Sequence, residues 1–528
     1  MKFTRGVKWV VVVLVMASVG MGGLFAAPVS QAQSTDQPDP CPQVLPQGYF
    51  TTEWQTACEK DAQPIGPSDT PPPGSKNASV PLAIDTNGVT TSYPLLGDTK
   101  QPADGLSMPV SPTAPQTIGD SYGFIACSAG GGGGWTTTSN TWQVVRSCTA
   151  TFPEDGFVYI NATSSVGLSS DITPFEARIG LNIDNPAANG VTDRWVNIYT
   201  DSGDGTDKSV ADDMISPVIS GTHTFYFLAT RAAGSGTVQL YNPTISVLYY
   251  PNSNPEVMAC GVTNNLDWST TESTFQIVRS CTLTVTQPGY VYVSGTTSVA
   301  LSDSAYEARL RVGVDSTSGS ASSDRWINIY TDAGDGTDES VATSNLTSVI
   351  SGTHTFYFLA ARYNGTGTAV LYDPSLSVLF FPTTNVTAKT CGATGSDVWT
   401  NATTDYTVIR ACTVDVPAHG FAFVNADGSA GLNAPTAGND WEGQFRFGLD
   451  NRTIGSSGFD RWINLYTDTN DGTDRSLALS GMFNVSAGSH TFYVLGKRYS
   501  GTGTLRLYSP SLTVIVPVAH IYLPVVLK

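Results

Sequence analysis

The chain has 528 residues, 40% of them hydrophobic, which is enough material for three or four domain cores. Only 13% are charged and the formal net charge is -18, so polarity comes from Ser, Thr, Asn and Gly, as in turn-rich β-proteins. An acidic chain without a Lys/Arg cluster repels nucleic-acid phosphates and anionic lipid surfaces, which excludes nucleic acid as a partner.

In chain order, Lys2, Arg5 and Lys8 precede an apolar run over residues 9–27. Ser30-Gln31-Ala32 then sets small residues where a signal peptidase cuts. Residues 1–32 read as an export signal, with an uncleaved anchor as the competing reading. No later stretch is long and apolar enough for a membrane span. Residues 33–120 hold about half of the 31 prolines and read as an extended stalk. Within it, Cys41 and Cys58 flank Tyr49, Phe50 and Trp54 and are expected to close a small disulfide loop.

Three copies of one unit follow, at 121–252, 253–384 and 385–518, before a tail at 519–528. Residues 220–229 recur letter for letter at 351–360 and loosely at 487–496. Asp193-Arg194-Trp195 recurs as Asp324-Arg325-Trp326 and Asp460-Arg461-Trp462. Cysteines repeat at one fixed separation: Cys127 with Cys148, Cys260 with Cys281, Cys391 with Cys412. A pair per unit predicts one disulfide each, worth about 3 kcal/mol in the chain-entropy account. Zinc is a poorer reading, since no copy has a CxxC or a His at ligand spacing.

Each unit reads as strands. Phe157-Val158-Tyr159-Ile160 and its counterparts are β-branched and aromatic. Ile179, Leu181 and Ile183 alternate with Arg178, Gly180 and Asn182, the period of a half-buried strand. No amphipathic helix of useful length is present. The expected fold class is all-β: three tandem β-sandwich domains, jelly-roll or immunoglobulin-like, each with one disulfide, after the Pro-rich segment.

Three features carry functional expectations. On the strand after each repeated Arg, Trp195, Asn197 and Tyr199 share a face, as do Trp326, Asn328 and Tyr330, and Trp462, Asn464 and Tyr466. An exposed face of this kind would stack on sugar rings and bond their hydroxyls. The competing reading is a buried Trp packed against the disulfide. Next come Asp201, Asp204 and Asp207, then Asp332, Asp335 and Asp338, then Asp468, Asp471 and Asp474. Three carboxylates around a glycine fit calcium, although the spacing departs from an EF-hand loop and Asp-Gly also suits a tight turn. Finally, Glu176, Glu307 and Glu442 each stand eight residues before an acid, which on one strand is about 26 Å and too far for paired acid chemistry. Glu176 with Arg178 reads instead as a solvated pair. His223, His354 and His490 lie at the start of one repeated strand without a nucleophile motif, and every Cys is committed to a disulfide. The Gly-rich stretch 129–134 lacks the ending of a phosphate loop. Nothing here predicts an enzyme.

The ending Tyr522-Leu523-Pro524-Val525-Val526-Leu527-Lys528 resembles the C-terminal tail of many exported proteins of Chloroflexota. The Gly-Thr-His-Thr-Phe-Tyr strand and the Gly-Thr-Gly-Thr turn resemble uncharacterised secreted repeats of the same group. The resemblance implies export and surface sorting, and no activity. The expected function is an exported, non-catalytic binding or adhesion protein of the cell surface or medium. Polysaccharide or a surface component would be its partner, held through repeated weak sites. The alternative is a structural envelope protein that self-associates through strand edges. A secreted hydrolase is the third reading.

Overall fold

The structure, a computed structural model, describes residues 134–517 apart from a set of connecting loops, with two short strands ahead of them at Gln116–Thr117 and Phe124–Ile125. The export signal, nearly all of the Pro-rich segment with Cys41 and Cys58, Cys127, and the tail lie outside the described residues.

The alternation seen in the sequence builds each repeat. In Phe175–Ile183, the side chains of Phe175, Ala177, Ile179 and Leu181 point into the core, as do Val196 and Ile198 of Thr192–Ile198. One sheet of repeat 1 orders Gly134–Thr137, Val238–Pro251, Gly156–Leu168 and Asp207–Val218; the other orders Gln143–Phe152, Gly221–Gly234, Phe175–Ile183 and Thr192–Ile198. With these eight strands counted along the chain, the sheets run first-eighth-third-sixth and second-seventh-fourth-fifth. That is a jelly roll, and it decides against the immunoglobulin-like alternative. Repeats 2 and 3 follow the same order. Among the described residues there is no α-helix, only a single 3-10 turn at Ala321–Ser323.

Cys260–Cys281 and Cys391–Cys412 are disulfides as expected, and Cys148 is disulfide-bonded too. The two pairs Cys260–Cys281 and Cys391–Cys412 each link the first strand region of one sheet to a strand of the other.

The tandem units are not beads on a string. The strands Asp207–Val218, Glu339–Val349 and Arg475–Val485, one from each repeat, pack around a common axis. Ala211, Ala342 and Ala478 meet there in a small buried cluster. Further along, Tyr159, Tyr292 and Phe423 stand edge-to-face, with centroids 6.0, 5.9 and 6.1 Å apart. These rings sit in a fourth apolar core, built from the outer faces of three sheets and shared by all repeats. Polar contacts go round in sequence: Ala211 N–H donates to Ser340, Ala342 N–H to Ser476, and Ala478 N–H to Ser209. The chain is a closed, pseudo-threefold ring of three jelly rolls.

Candidate functional site: the three repeat junctions

The densest polar chemistry lies where one repeat meets the next, and Asp-Arg-Trp places it. The arginine stands at or near the start of the last strand of the outer sheet and is wholly buried in every copy. Arg194 Nη1 donates to the Asp373 carbonyl of repeat 2 at 2.9 Å, and Nη2 donates to Thr296 and Ser375 hydroxyls at 2.7 and 2.9 Å. Arg325 reaches into repeat 3, to the Ser509 carbonyl at 3.1 Å and the Asp427 carboxylate. Arg461 closes the ring on repeat 1, donating to the Asn242 carbonyl at 3.0 Å, the Thr163 carbonyl at 3.0 Å and the Thr244 hydroxyl at 3.1 Å.

The accepting carbonyls belong to Asn242, Asp373 and Ser509, each left-handed (φ 49°, 46° and 45°) and each just before a proline. The strand slips one residue there, as the register shift between Tyr241 and Thr244 records. A proline has no N–H for the ladder, so this bulge turns a carbonyl outward to meet the neighbour's arginine. The next residue locks too: the N–H groups of Trp195, Trp326 and Trp462 donate to Ser298, Ser429 and Ser165 of the following repeat at 2.7, 2.8 and 2.7 Å.

The Trp-Asn faces are therefore turned into the junctions. Trp195 and Trp462 keep 8% and 6% of their surface, Asn197 and Asn464 are buried, and Trp326 and Asn328 are partly buried. The ring faces are occupied as well. Arg178 lies 4.3 Å over Trp195 and Arg309 4.1 Å over Trp326, while Tyr499 meets Trp462 edge-on at 4.5 Å. The competing expectation, a core Trp against the disulfide, does not describe them either: none of the three belongs to the apolar core that holds its repeat's cysteine, and their rings pack on residues of their own repeat beside the junction. Tyr199, Tyr330 and Tyr466 lie outside the described residues, as do Asp201, Asp204, Asp332, Asp335, Asp468 and Asp471.

The last aspartate of each acidic loop is described. Asp207 and Asp338 are buried and Asp474 is partly so, each at the start of an axial strand or just before it. The Asp338 carbonyl accepts from Asn197 N–H at 3.2 Å, and the Asp474 carbonyl accepts from Asn328 N–H at 3.2 Å. Opposite the asparagines in register stand Glu176 and Glu307. Their reading as part of a solvated surface pair is corrected here, because the next repeat packs over that face. Burial, reinforced by Asp338, pushes the Glu176 carboxyl up to about 8; burial, reinforced by Asp474, pushes Glu307 up to about 7. Burial alone dominates at Asp338 and Asp474, raised to about 7 and about 6. Arg178 and Arg309 pair instead with Asp193 and Asp324. Among the described residues, no group of three or more His, Cys, Asp or Glu gathers as a metal cluster.

The repeated histidines are clamps. His223, His354 and His490 each hold Asp184, Asp315 or Asp450 through Nδ1 at 2.6 Å, and turn Nε2 to a carbonyl of the preceding turn. A carbonyl can only accept, so Nε2 donates to it in each copy, while Nδ1 meets a carboxylate. Accordingly the His354 pKa is raised, chiefly by its bond to Asp315. The acids eight residues after Glu176 and Glu307, Asp184 and Asp315, are thus committed to these clamps.

No protein-family model and no curated protein matches the chain. Among solved structures it is similar to PNGF-II at 10% identity and TM-score 0.22, covering 66% of this chain and 99% of that one. A Sulfolobus Turreted Icosahedral Virus structure scores 0.17 at 9% identity, covering 76% and 91%. The CBM22-1-CBM22-2 tandem domain of Paenibacillus barcinonensis Xyn10C scores 0.15 at 12%, covering 51% and 92%. Scores this low do not establish a shared fold.

Proposed function

We propose that the protein is an exported, non-catalytic structural component, in which three jelly rolls act as one rigid head and present three related outer sheets to a surface or polymer. The observation that carries this reading is the circular set of buried arginines, each spent on holding the next repeat. Residue types that would serve a sugar site or a catalytic pair in an open cleft are here used as cement between repeats. Disulfides fit an extracellular setting. Among the described residues, no helix is long and apolar enough to cross a membrane.

Carbohydrate binding is the second reading, relocated to the outer sheet of repeat 2. Tyr363 is half exposed there and stacks edge-on with Trp326, with Arg309 and Phe275 beside it. The two readings separate in one experiment on the mature chain: acrylamide quenching of tryptophan, followed by pull-down on insoluble polysaccharides. Shielded tryptophans and no retention on any polymer are expected of a structural head. Saturable retention abolished by Tyr363→Ala would replace that reading with the carbohydrate one.

A further inference from the structure

Two junctions gather oxygen donors whose neighbouring cations are ion-paired to other acids. At the first, Glu176 and Asn197 lie directly opposite each other on neighbouring strands of repeat 1, and Asp338 of repeat 2 meets both. The Asn197 amide donates to the Asp338 carboxylate, which leaves its Oδ1 free. Asn197 is only 7% exposed, and that Oδ1 has no hydrogen-bond partner; nor has the buried Oε1 of Glu176. At the second junction Glu307, Asn328 and Asp474 repeat the arrangement, again with a buried, unpartnered Asn328 Oδ1.

The neighbouring cations are engaged elsewhere. Arg178 pairs with Asp193 and Arg309 with Asp324. Lys208, the nearest to Asp338, ion-pairs with Glu339 at 2.6 Å. Buried carboxylates beside an unpartnered amide oxygen need a counter-charge, either a proton or a metal ion. Two carboxylates and an amide oxygen are hard donors, and calcium accepts such mixed oxygen shells of six to eight members, with water completing them.

We propose that the junctions between repeats 1 and 2 and between repeats 2 and 3 each bind a calcium ion, through Glu176, Asn197 and Asp338 and through Glu307, Asn328 and Asp474. Glu442, Asn464 and Asp207 occupy the corresponding places at the third junction. This differs from a calcium ion held within one acidic loop: its ligands come from two repeats, so the ion would lock the ring. The inference rests on the junction geometry and holds whether the head is structural or carbohydrate-binding.

The test uses the mature chain stripped with chelator. Terbium, a calcium surrogate, is added and its luminescence is read through tryptophan excitation, with Trp195 and Trp326 on the strands that carry the two asparagines. In parallel, thermal unfolding is followed with and without calcium. Saturable terbium luminescence displaced by calcium is expected, together with a Tm increase of about 5 °C at saturating calcium. The double variant Glu307→Gln with Asp474→Asn keeps the hydrogen-bonding shape; it should fold, with unchanged circular dichroism, and lose roughly half of the signal. Pairing it with Glu176→Gln and Asp338→Asn should remove most of the remainder. No terbium signal and no Tm response would overturn the proposal in favour of shared protons. Full binding retained in the quadruple variant would overturn it by placing the ion elsewhere.

Discussion

Three junctions of one design hold their buried arginine differently. Arg194 at the first has two acids close by: Asp212 at 3.0 Å and Asp213, which the neighbouring Thr296 and Ser375 hydroxyls also bond. Arg325 at the second has one, Asp427, supported by Ser344 and Ser511. Arg461 at the third has no salt bridge to an acid among the described residues. At the places of Asp213 and Asp427 it finds Ser480 and Thr163, and its partners are hydroxyls and carbonyls. Burial, with only Asp460 opposing it, pulls the Arg461 pKa down to about 9. The acid moves from one position to another and then disappears, while the arginine and its carbonyl partner stay. The carbonyl contact therefore sets the geometry, and the acid adjusts the strength. The third junction joins the repeats most distant along the chain, so it is where the ring should open first.

Asp427→Ala should have the largest effect. It leaves Arg325 buried without its carboxylate, at a cost of about 3–5 kcal/mol by urea unfolding. A loss below about 1 kcal/mol would mean that the acid is not what balances the arginine. Next, Arg325→Met and Arg461→Met should diverge. The first strands Asp427 and is strongly destabilising. The second removes an uncompensated charge and should be neutral or stabilising by about 1–2 kcal/mol. Equal losses in the two would erase the distinction between junctions. Thr163→Asp, which restores at the third junction the acid of the second, should stabilise by about 1 kcal/mol and raise Tm in calorimetry. The smallest effect is on pH dependence. The folded pKa of Arg461 lies below its unfolded value, so the unfolded chain binds more protons above pH 9 and this group's contribution to stability rises with pH there. The stability gap between wild type and Arg461→Met should narrow when chevron or urea data are taken above pH 9.

The sequence made the fold legible down to the repeat, because period-two alternation, repeated cysteines and turn residues are local signals. Jelly-roll order was not legible, since strand pairing is set by contacts far apart in the chain. The site was legible in position and not in use. Asp-Arg-Trp stands out as a repeat, but in one dimension Trp195 has the chemistry of a binding residue, while nothing beside Arg194 shows that it joins two repeats. A strand face whose Trp and Asn are covered by the next repeat reads the same, in one dimension, as a face covered by sugar. The usable clue was the pattern of partners: positions 163, 296 and 427 vary between Thr and Asp while the arginine does not, which is what a charge answered from another repeat looks like.

The outward carbonyls at Asn242, Asp373 and Ser509 have a consequence for copy number. In an open solenoid, repeats can be added or lost with little penalty, since each end is simply capped. Here every repeat offers one carbonyl and consumes one, and the arc closes after the third unit. Gene duplication or deletion would not lengthen or shorten the head by a step: a fourth unit would find no room in the closed arc, and a missing one would leave an arginine facing water across a wedge. The count of three thus follows from the angle at which successive repeats pack around the axis, much as subunit number is fixed in a ring of separate chains.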